Sequence, residues 1–164
     1  MKIYESIKLE MEGEAPRTRK VLERVPMEKA TWKPHDKSMA LGHLASHVAE
    51  IPNWMSKTLK LDVLDLSKED KPWAASKTSD LVARFDANMK DALKCLDEAD
   101  EADIMNPWTL NFDGKELVKM PRFYVLRSFV TNHIVHHRAQ LGVYLRLLEI
   151  PVPSVYGPSA DEQV

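Results

Sequence analysis

Two histidines, His133 and His137, lie four positions apart in a stretch of sequence that has the pattern of a helix. Because residues four apart share one face of a helix, their imidazoles could act as two ligands of one metal ion. His47 lies on the apolar stripe of a second predicted helix, and a third imidazole from there would leave positions open for water or substrate. The spacing is therefore suited to a metal centre with three histidine ligands.

Ordinary packing offers another interpretation of these histidines. Buried imidazoles can simply hydrogen-bond to neighbouring polar groups, and pairs four apart arise by chance in helices, so the spacing alone leaves both interpretations open. The Glu-x-x-His pairs of di-iron bundles are missing, and so is the His-Glu-x-x-His motif. If a metal is bound, a histidine-rich site favours Zn²⁺ or another borderline divalent ion such as Ni²⁺.

The predicted site suggests two kinds of chemistry. Three neutral imidazoles leave the charge of a divalent ion uncompensated, so the site should attract an anionic or ionisable ligand. A bound water would have its pKa lowered towards about 7 and could attack an ester or amide. A thiol would be deprotonated in the same way, which would serve thiol transfer or isomerisation. A metal-binding bundle without catalysis is the third possibility.

Four segments with helical periodicity must position these residues. In the last of them, apolar residues recur at steps of three and four and place His133 and His137 on the side that faces the core. In the second, Ser38 is the predicted N-cap, and Pro52 is expected to bend the helix one turn beyond His47. The four segments cover about residues 3–25, 38 to beyond 55, 79–96 and 121–148.

Proline and glycine indicate where these elements are interrupted. Pro16 predicts a kink or a break near Ala15 in the first helix. A strand-like stretch from Trp108 to Met120 contains Asp113-Gly114, a dipeptide typical of hairpin turns. The fold class predicted from these elements is all-α: a four-helix bundle in one domain, residues 1–164, with a small hairpin insertion before the last helix.

Composition excludes several classes of protein. A formal net charge of −2 with scattered lysines and arginines argues against nucleic-acid binding. The single cysteine, Cys95, rules out an intramolecular disulfide and fits a buried position among helical apolar residues. No stretch approaches the roughly 18 apolar residues of a membrane span, and the N-terminus lacks the apolar run of a signal peptide. We therefore expect a cytoplasmic protein without membrane contacts.

Motifs along nearly the whole chain resemble those of the DinB-like (damage-inducible) metalloprotein superfamily. The last predicted helix carries the His-x-x-x-His-Arg-x-Gln pattern of that family, and the segment around His47 is similar to its second-helix motif. The connection before that helix and the C-terminal tail are similar as well. The stretches that carry the resemblance are 22–26, 32–35, 41–50, 132–141 and 156–162.

This resemblance implies His47, His133 and His137 as the metal ligands, a four-helix bundle with unusual crossover connections and, commonly, a homodimer. Many relatives are labelled metal-dependent hydrolases, and others are transferases or isomerases that use bacillithiol, mycothiol or glutathione. We therefore expect a small-molecule substrate, with a low-molecular-weight thiol as a possible cosubstrate. A non-catalytic metal-binding protein of the stress response is the alternative. His43, one turn before His47, is not a ligand in the family pattern, so we expect it to be exposed or near the site.

The residues around the predicted ligands have no assigned role. Glu50 could orient an imidazole or handle a proton, although a plain helix-surface glutamate fits its position equally well. Arg138 and Gln140 could anchor a carboxylate or an amide, and a surface ion pair is the simpler explanation of Arg138. The catalytic residues and the substrate are left open by the sequence.

Overall fold

The computed structural model describes residues 2–163 and shows a mostly helical fold with five helices and three strands in this range. The last helix is continuous through a first turn, a wider π-helical section and a long α-helical section. The helices are α1 Ile3–Glu23, α2 Leu41–Glu50, α3 Asn53–Lys60, α4 Thr78–Glu98 and α5, which joins Arg122–Val125, Leu126–Thr131 and Asn132–Leu147. The strands are β1 Val63–Asp65, β2 Pro107–Phe112 and β3 Lys115–Pro121.

The main core lies between α1, α2, α4 and α5, which contact one another along their apolar stripes. The apolar stripe of the third predicted segment is buried on α4, at Leu81, Phe85, Met89, Ala92 and Leu96. Cys95 is buried beside them as expected. Within residues 2–163, no helix is both long and apolar enough to cross a membrane.

The second predicted helix is two helices, which raises the number of helices from four to five. α2 ends at Glu50 and α3 begins at Asn53, so Pro52 interrupts the helix instead of only bending it. Proline has no N–H to donate to the carbonyl four residues earlier, and its ring clashes with that carbonyl. The apolar stripe nevertheless continues across the interruption, because both Ile51 and Met55 are buried.

Ser38 is not the N-cap of α2. The helix begins three residues later, after Ala40, which makes no side-chain cap. The backbone N–H of Leu41 donates to the carbonyl of Trp32, and that of Gly42 donates to the carbonyl of Ala30. The preceding connection therefore satisfies the first donors of the helix, and a capping side chain is unnecessary.

The predicted break at Pro16 is absent, since α1 runs without interruption from Ile3 to Glu23. Pro16 is exposed, whereas Glu14 and Thr18 on either side of it are buried. The carbonyl that loses its helical partner, that of Glu12, also belongs to an exposed residue, so water can satisfy it.

The predicted hairpin is confirmed, and it belongs to a three-stranded sheet of order β1-β2-β3. Asp113 and Gly114 both adopt positive φ angles, of 51° and 71°, as a tight hairpin turn requires. β1 was not predicted; it pairs parallel with β2 from more than forty positions earlier in the chain. Trp108 is fully buried under the sheet with Leu64 and Val125, which ties the sheet to α5.

The close approach of α2 to the connection before it predicts a strong effect of Gly42→Ala. A Cβ at Gly42 would lie 2.7 Å from the Cβ of Ala30 and 3.2 Å from its Cα. We expect the variant to lower the free energy of unfolding by about 1–3 kcal/mol, measured by urea denaturation. Gly142→Ala on α5 is the matched control, because its Cβ would meet only Val152 at 3.8 Å. That variant should gain about 0.5–1 kcal/mol from helix propensity, and equal stability of the two variants would contradict the packing.

Candidate metal centre

The contact between α2 and α5 brings the three predicted histidines together. The Nε2 atom of His133 lies 2.7 Å from Nε2 of His137 and 3.3 Å from Nε2 of His47. The three ring centroids are 4.5–4.9 Å apart. Three imidazoles from two helices thus point their Nε2 atoms at one small region, as the sequence predicted.

Hydrogen bonds at the other ring nitrogens orient two of these imidazoles. Nδ1 of His137 donates to Oε1 of Gln140 at 2.6 Å, and Nδ1 of His133 donates to the backbone carbonyl of Phe129 at 3.2 Å. Because a carbonyl oxygen can only accept, each Nδ1 carries the proton and each Nε2 presents a lone pair. Two lone pairs that face each other at 2.7 Å repel unless a positive charge lies between them.

A proton does not supply that charge at neutral pH. Burial lowers the pKa of all three histidines, and it lowers that of His47, with help from the neighbouring imidazoles, to about 4. Neutral imidazoles are the form that binds metal ions. A tetrahedral ion with nitrogen ligands at about 2.0–2.1 Å holds those nitrogens about 3.3 Å apart. This value equals the Nε2 separation between His47 and His133, whereas His133 and His137 would have to move apart by about 0.6 Å to share such an ion. Three neutral imidazole nitrogens are the donor set that a borderline divalent ion prefers.

The cluster has three members within residues 2–163, and no fourth histidine, cysteine or carboxylate joins it. His43 is exposed one turn before His47 and lies outside the cluster, which agrees with its position in the family pattern. His136 is exposed as well, although its ring lies beside that of His137 with centroids 4.8 Å apart. The protein thus leaves one side of the cluster without a ligand of its own.

Comparison with known proteins shows the family of this chain. The sequence model of the protein family described as the DinB family matches residues 4–163 of this chain. The chain belongs to the DinB family. Its structure is similar to that of a DinB-like protein from Bacillus cereus, with a TM-score of 0.72 and 21% identity over 93% of this chain and 97% of the other.

A DinB-like protein from Bacillus subtilis is similar too, with a TM-score of 0.69 and 17% identity over 92% of this chain and 97% of that one. At these identities the two structures support the DinB fold alone. A comparison with curated proteins gives no match.

The arginine of the DinB motif has a structural role that corrects the surface ion pair expected from the sequence. Arg138 is only 3% exposed and pairs with the buried carboxylate of Glu14 on α1. It also donates to Thr18 Oγ1 at 3.1 Å and to the hydroxyl of Tyr156 in the C-terminal tail at 2.6 Å. These contacts come from α1 and the tail, which pack on the side of α5 that faces away from the histidines. Arg138 therefore links α5 to α1 and to the tail at the position directly after His137.

The glutamine of the same motif is hydrogen-bonded to a histidine of the cluster. Gln140 lies three residues after His137, a spacing that places both side chains on neighbouring positions of one helical face. Its amide oxygen fixes the ring orientation and the tautomer of His137. The sequence contained this signal in the three-residue spacing, but the hydrogen bond became visible only with the structure.

A cleft of about 670 Å³ reaches the cluster at His47. Glu50 lines this cleft and is only partly buried. Its carboxylate pairs with the guanidinium of Arg84, and its Oε1 accepts a hydrogen bond from Nδ2 of Asn88 at 3.2 Å. Glu50 therefore makes its hydrogen bonds to α4 and does not orient an imidazole.

The geometry predicts that His133→Ala abolishes stoichiometric zinc binding, because His133 is the central member of the cluster. Purified protein is incubated with zinc and desalted, and the metal content per chain is measured by elemental analysis. The wild-type chain should retain about one ion. His43→Ala and His136→Ala remove exposed histidines from the same two helices and should retain the wild-type content. Full retention of zinc by His133→Ala would refute the assignment.

The lowered pKa values predict that the metal-free protein loses stability in acid. In the unfolded chain His47 takes up a proton near pH 6.5, whereas in the folded protein it stays neutral to about pH 4. The unfolded state therefore binds more protons in this interval, and the stability present above pH 6.5 is lost as the pH falls towards 4. Urea midpoints between pH 7 and 4.5 should fall less steeply for His47→Gln than for the wild type; parallel curves would contradict the pKa assignment.

Proposed function

We propose that this DinB-family protein is a metal-dependent enzyme acting on a small molecule, with His47, His133 and His137 holding one divalent ion, Zn²⁺ or Ni²⁺. The open side of the histidine cluster is the observation that supports catalysis, since no fourth protein ligand joins it within the described residues. Structural zinc sites are generally closed by four protein ligands, whereas catalytic sites keep a position for water or substrate.

Hydrolysis is the reaction that we favour. When bound, a divalent ion acidifies a water that joins it, which supports attack on an ester or amide. The protein's own contribution is orientation: Gln140 and the carbonyl of Phe129 hold the Nδ1 protons of His137 and His133, so that both Nε2 lone pairs point into the cluster. Such partners of metal-binding histidines fix the ring positions and raise the basicity of the ring.

Glu50 is the residue that we propose to exchange a proton with the substrate. Glu50 lies three residues after His47, and both residues line the cleft. The ion pair with Arg84 and the hydrogen bond from Asn88 hold it in one place. A carboxylate fixed in the cleft is suited to act as a general base on a substrate bound there.

Transfer or isomerisation with a low-molecular-weight thiol is the second candidate. The same histidine cluster would favour the thiolate form of a bound thiol. The cleft has a volume of about 670 Å³, which is the size of sites that bind drug-sized molecules. It therefore has room for a thiol cosubstrate as well as a small substrate. The homodimer that the family resemblance implies stays a prediction.

An activity screen tests the proposal. Zinc-loaded protein is offered ester, amide and electrophilic substrates, each with and without low-molecular-weight thiols, and His133→Ala is the matched metal-deficient control. We expect turnover without a thiol that disappears in the control. Glu50→Gln should keep its zinc content and lose about two to four orders of magnitude in kcat.

The outcomes separate the candidates. Turnover only in the presence of a thiol would reject the hydrolase and support the transferase. Retention of zinc without any turnover would instead favour a non-catalytic metal-binding protein.

A further inference from the structure

The cleft beside the histidine cluster has two aromatic walls that are held in place by their neighbours. Trp54 on α3 packs edge-on against Phe129 with ring centroids 6.0 Å apart, and its ring centroid lies 6.4 Å from that of the buried Trp108. Trp73, in the segment between the sheet and α4, lies under the guanidinium of Arg84 at 5.6 Å. Both indoles line the cleft, so a ligand meets rigid apolar surfaces there.

The charged groups of the cleft compensate one another. Lys57 is ion-paired with Glu69, and Arg84 is ion-paired with Glu50. The remaining two charged residues of the lining, Asp70 and Lys71, are adjacent in sequence, exposed and opposite in sign. The part of the cleft away from the histidines therefore offers no excess charge to a second charged group of a ligand.

The histidine end of the cleft differs from the rest. Three neutral imidazoles leave the charge of a divalent ion uncompensated, so an acidic group is favoured there and only there. Lys57, which lines the cleft, supports this difference, because burial lowers the pKa of its ammonium group and its surroundings therefore disfavour charge.

We infer that the cleft binds a small molecule with one acidic group and an uncharged apolar body. The inference rests on the proposed function, since the acidic group lies at the metal-binding histidines while the body packs against Trp54 and Trp73. Trp73 is the specificity-determining residue that we propose. It forms one aromatic wall of the cleft and lies in the segment before α4, outside the helices that carry the histidines. Multiply charged cosubstrates and nucleic acids fit this cleft poorly, since Lys57 and Arg84 are already ion-paired and the charge of Lys71 is offset by the adjacent Asp70.

Two hydroxamates with the same acidic head test the inference. Acetohydroxamate and benzohydroxamate are titrated by calorimetry into zinc-loaded protein whose metal content is known. Acetohydroxamate, which carries only a methyl group, reports on the head group alone, and the phenyl ring of benzohydroxamate reports on the apolar wall. We expect benzohydroxamate to bind about tenfold more tightly than acetohydroxamate to the wild type.

In Trp73→Ala this ratio should fall to about twofold, while the affinity for acetohydroxamate stays unchanged. Lys68→Ala alters an exposed residue of the same segment that does not line the cleft, so it should keep the wild-type ratio. Equal binding of the two compounds to the wild type, an unchanged ratio in Trp73→Ala, or no binding of either compound to zinc-loaded protein would overturn the inference. A chain that retains no zinc would overturn the proposed function as well, and elemental analysis shows this before any titration.

Discussion

Two imidazole lone pairs that face each other at 2.7 Å need a positive charge between them, and this constraint explains most of what surrounds the cluster. Burial disfavours protonation of the three rings, so a proton is a poor source of that charge. The hydrogen bonds from Nδ1 of His133 and His137 prevent the lone pairs from turning away. A divalent cation satisfies all of these conditions together, which is why the geometry fits metal binding better than ordinary core packing.

The scaffold must keep two helices that are far apart in sequence at a fixed separation. α2 is seated against the connection before it, where Gly42 allows the backbone to approach Ala30. α5 is held on its opposite side by the buried pair of Arg138 and Glu14, with Tyr156 of the tail closing over it. Removing one partner of a buried ion pair commonly costs about 3–5 kcal/mol, so this pair resists displacement of α5. Because Arg138 directly follows His137, a change that disrupts its pair with Glu14 should also displace an imidazole of the cluster.

The parts of the structure that follow from local pattern could be predicted from sequence. The apolar stripe of α4 and the hairpin turn at Asp113-Gly114 rest on helical and turn periodicity. Helical phase placed His47, His133 and His137 on inward faces, and the resemblance to the family, not periodicity, indicated that they meet. Those that depend on distant partners could not. β1 has only three residues and exists because it pairs with β2, and α2 needs no cap at Ser38 because carbonyls of the preceding connection accept its first N–H groups.

Burial of charge was the hardest feature to foresee at the site. The helical phase of Arg138 points it away from the histidines, which indicated solvent, but α1 and the C-terminal tail cover that face. Only the tertiary arrangement reveals such a partner, because Glu14 lies 124 positions earlier in the chain. Gln140 differs, since its partner is three residues away and its role was within reach of the helical spacing.

X-ray absorption at the zinc edge of the stoichiometrically loaded protein tests the central claim most directly, because it reports the number and type of ligands of the bound ion. We expect three imidazole nitrogens at about 2.0–2.1 Å and at least one further oxygen ligand from solvent. A spectrum with four imidazoles, with sulfur at about 2.3 Å, or with oxygen ligands alone would contradict an open centre built from His47, His133 and His137.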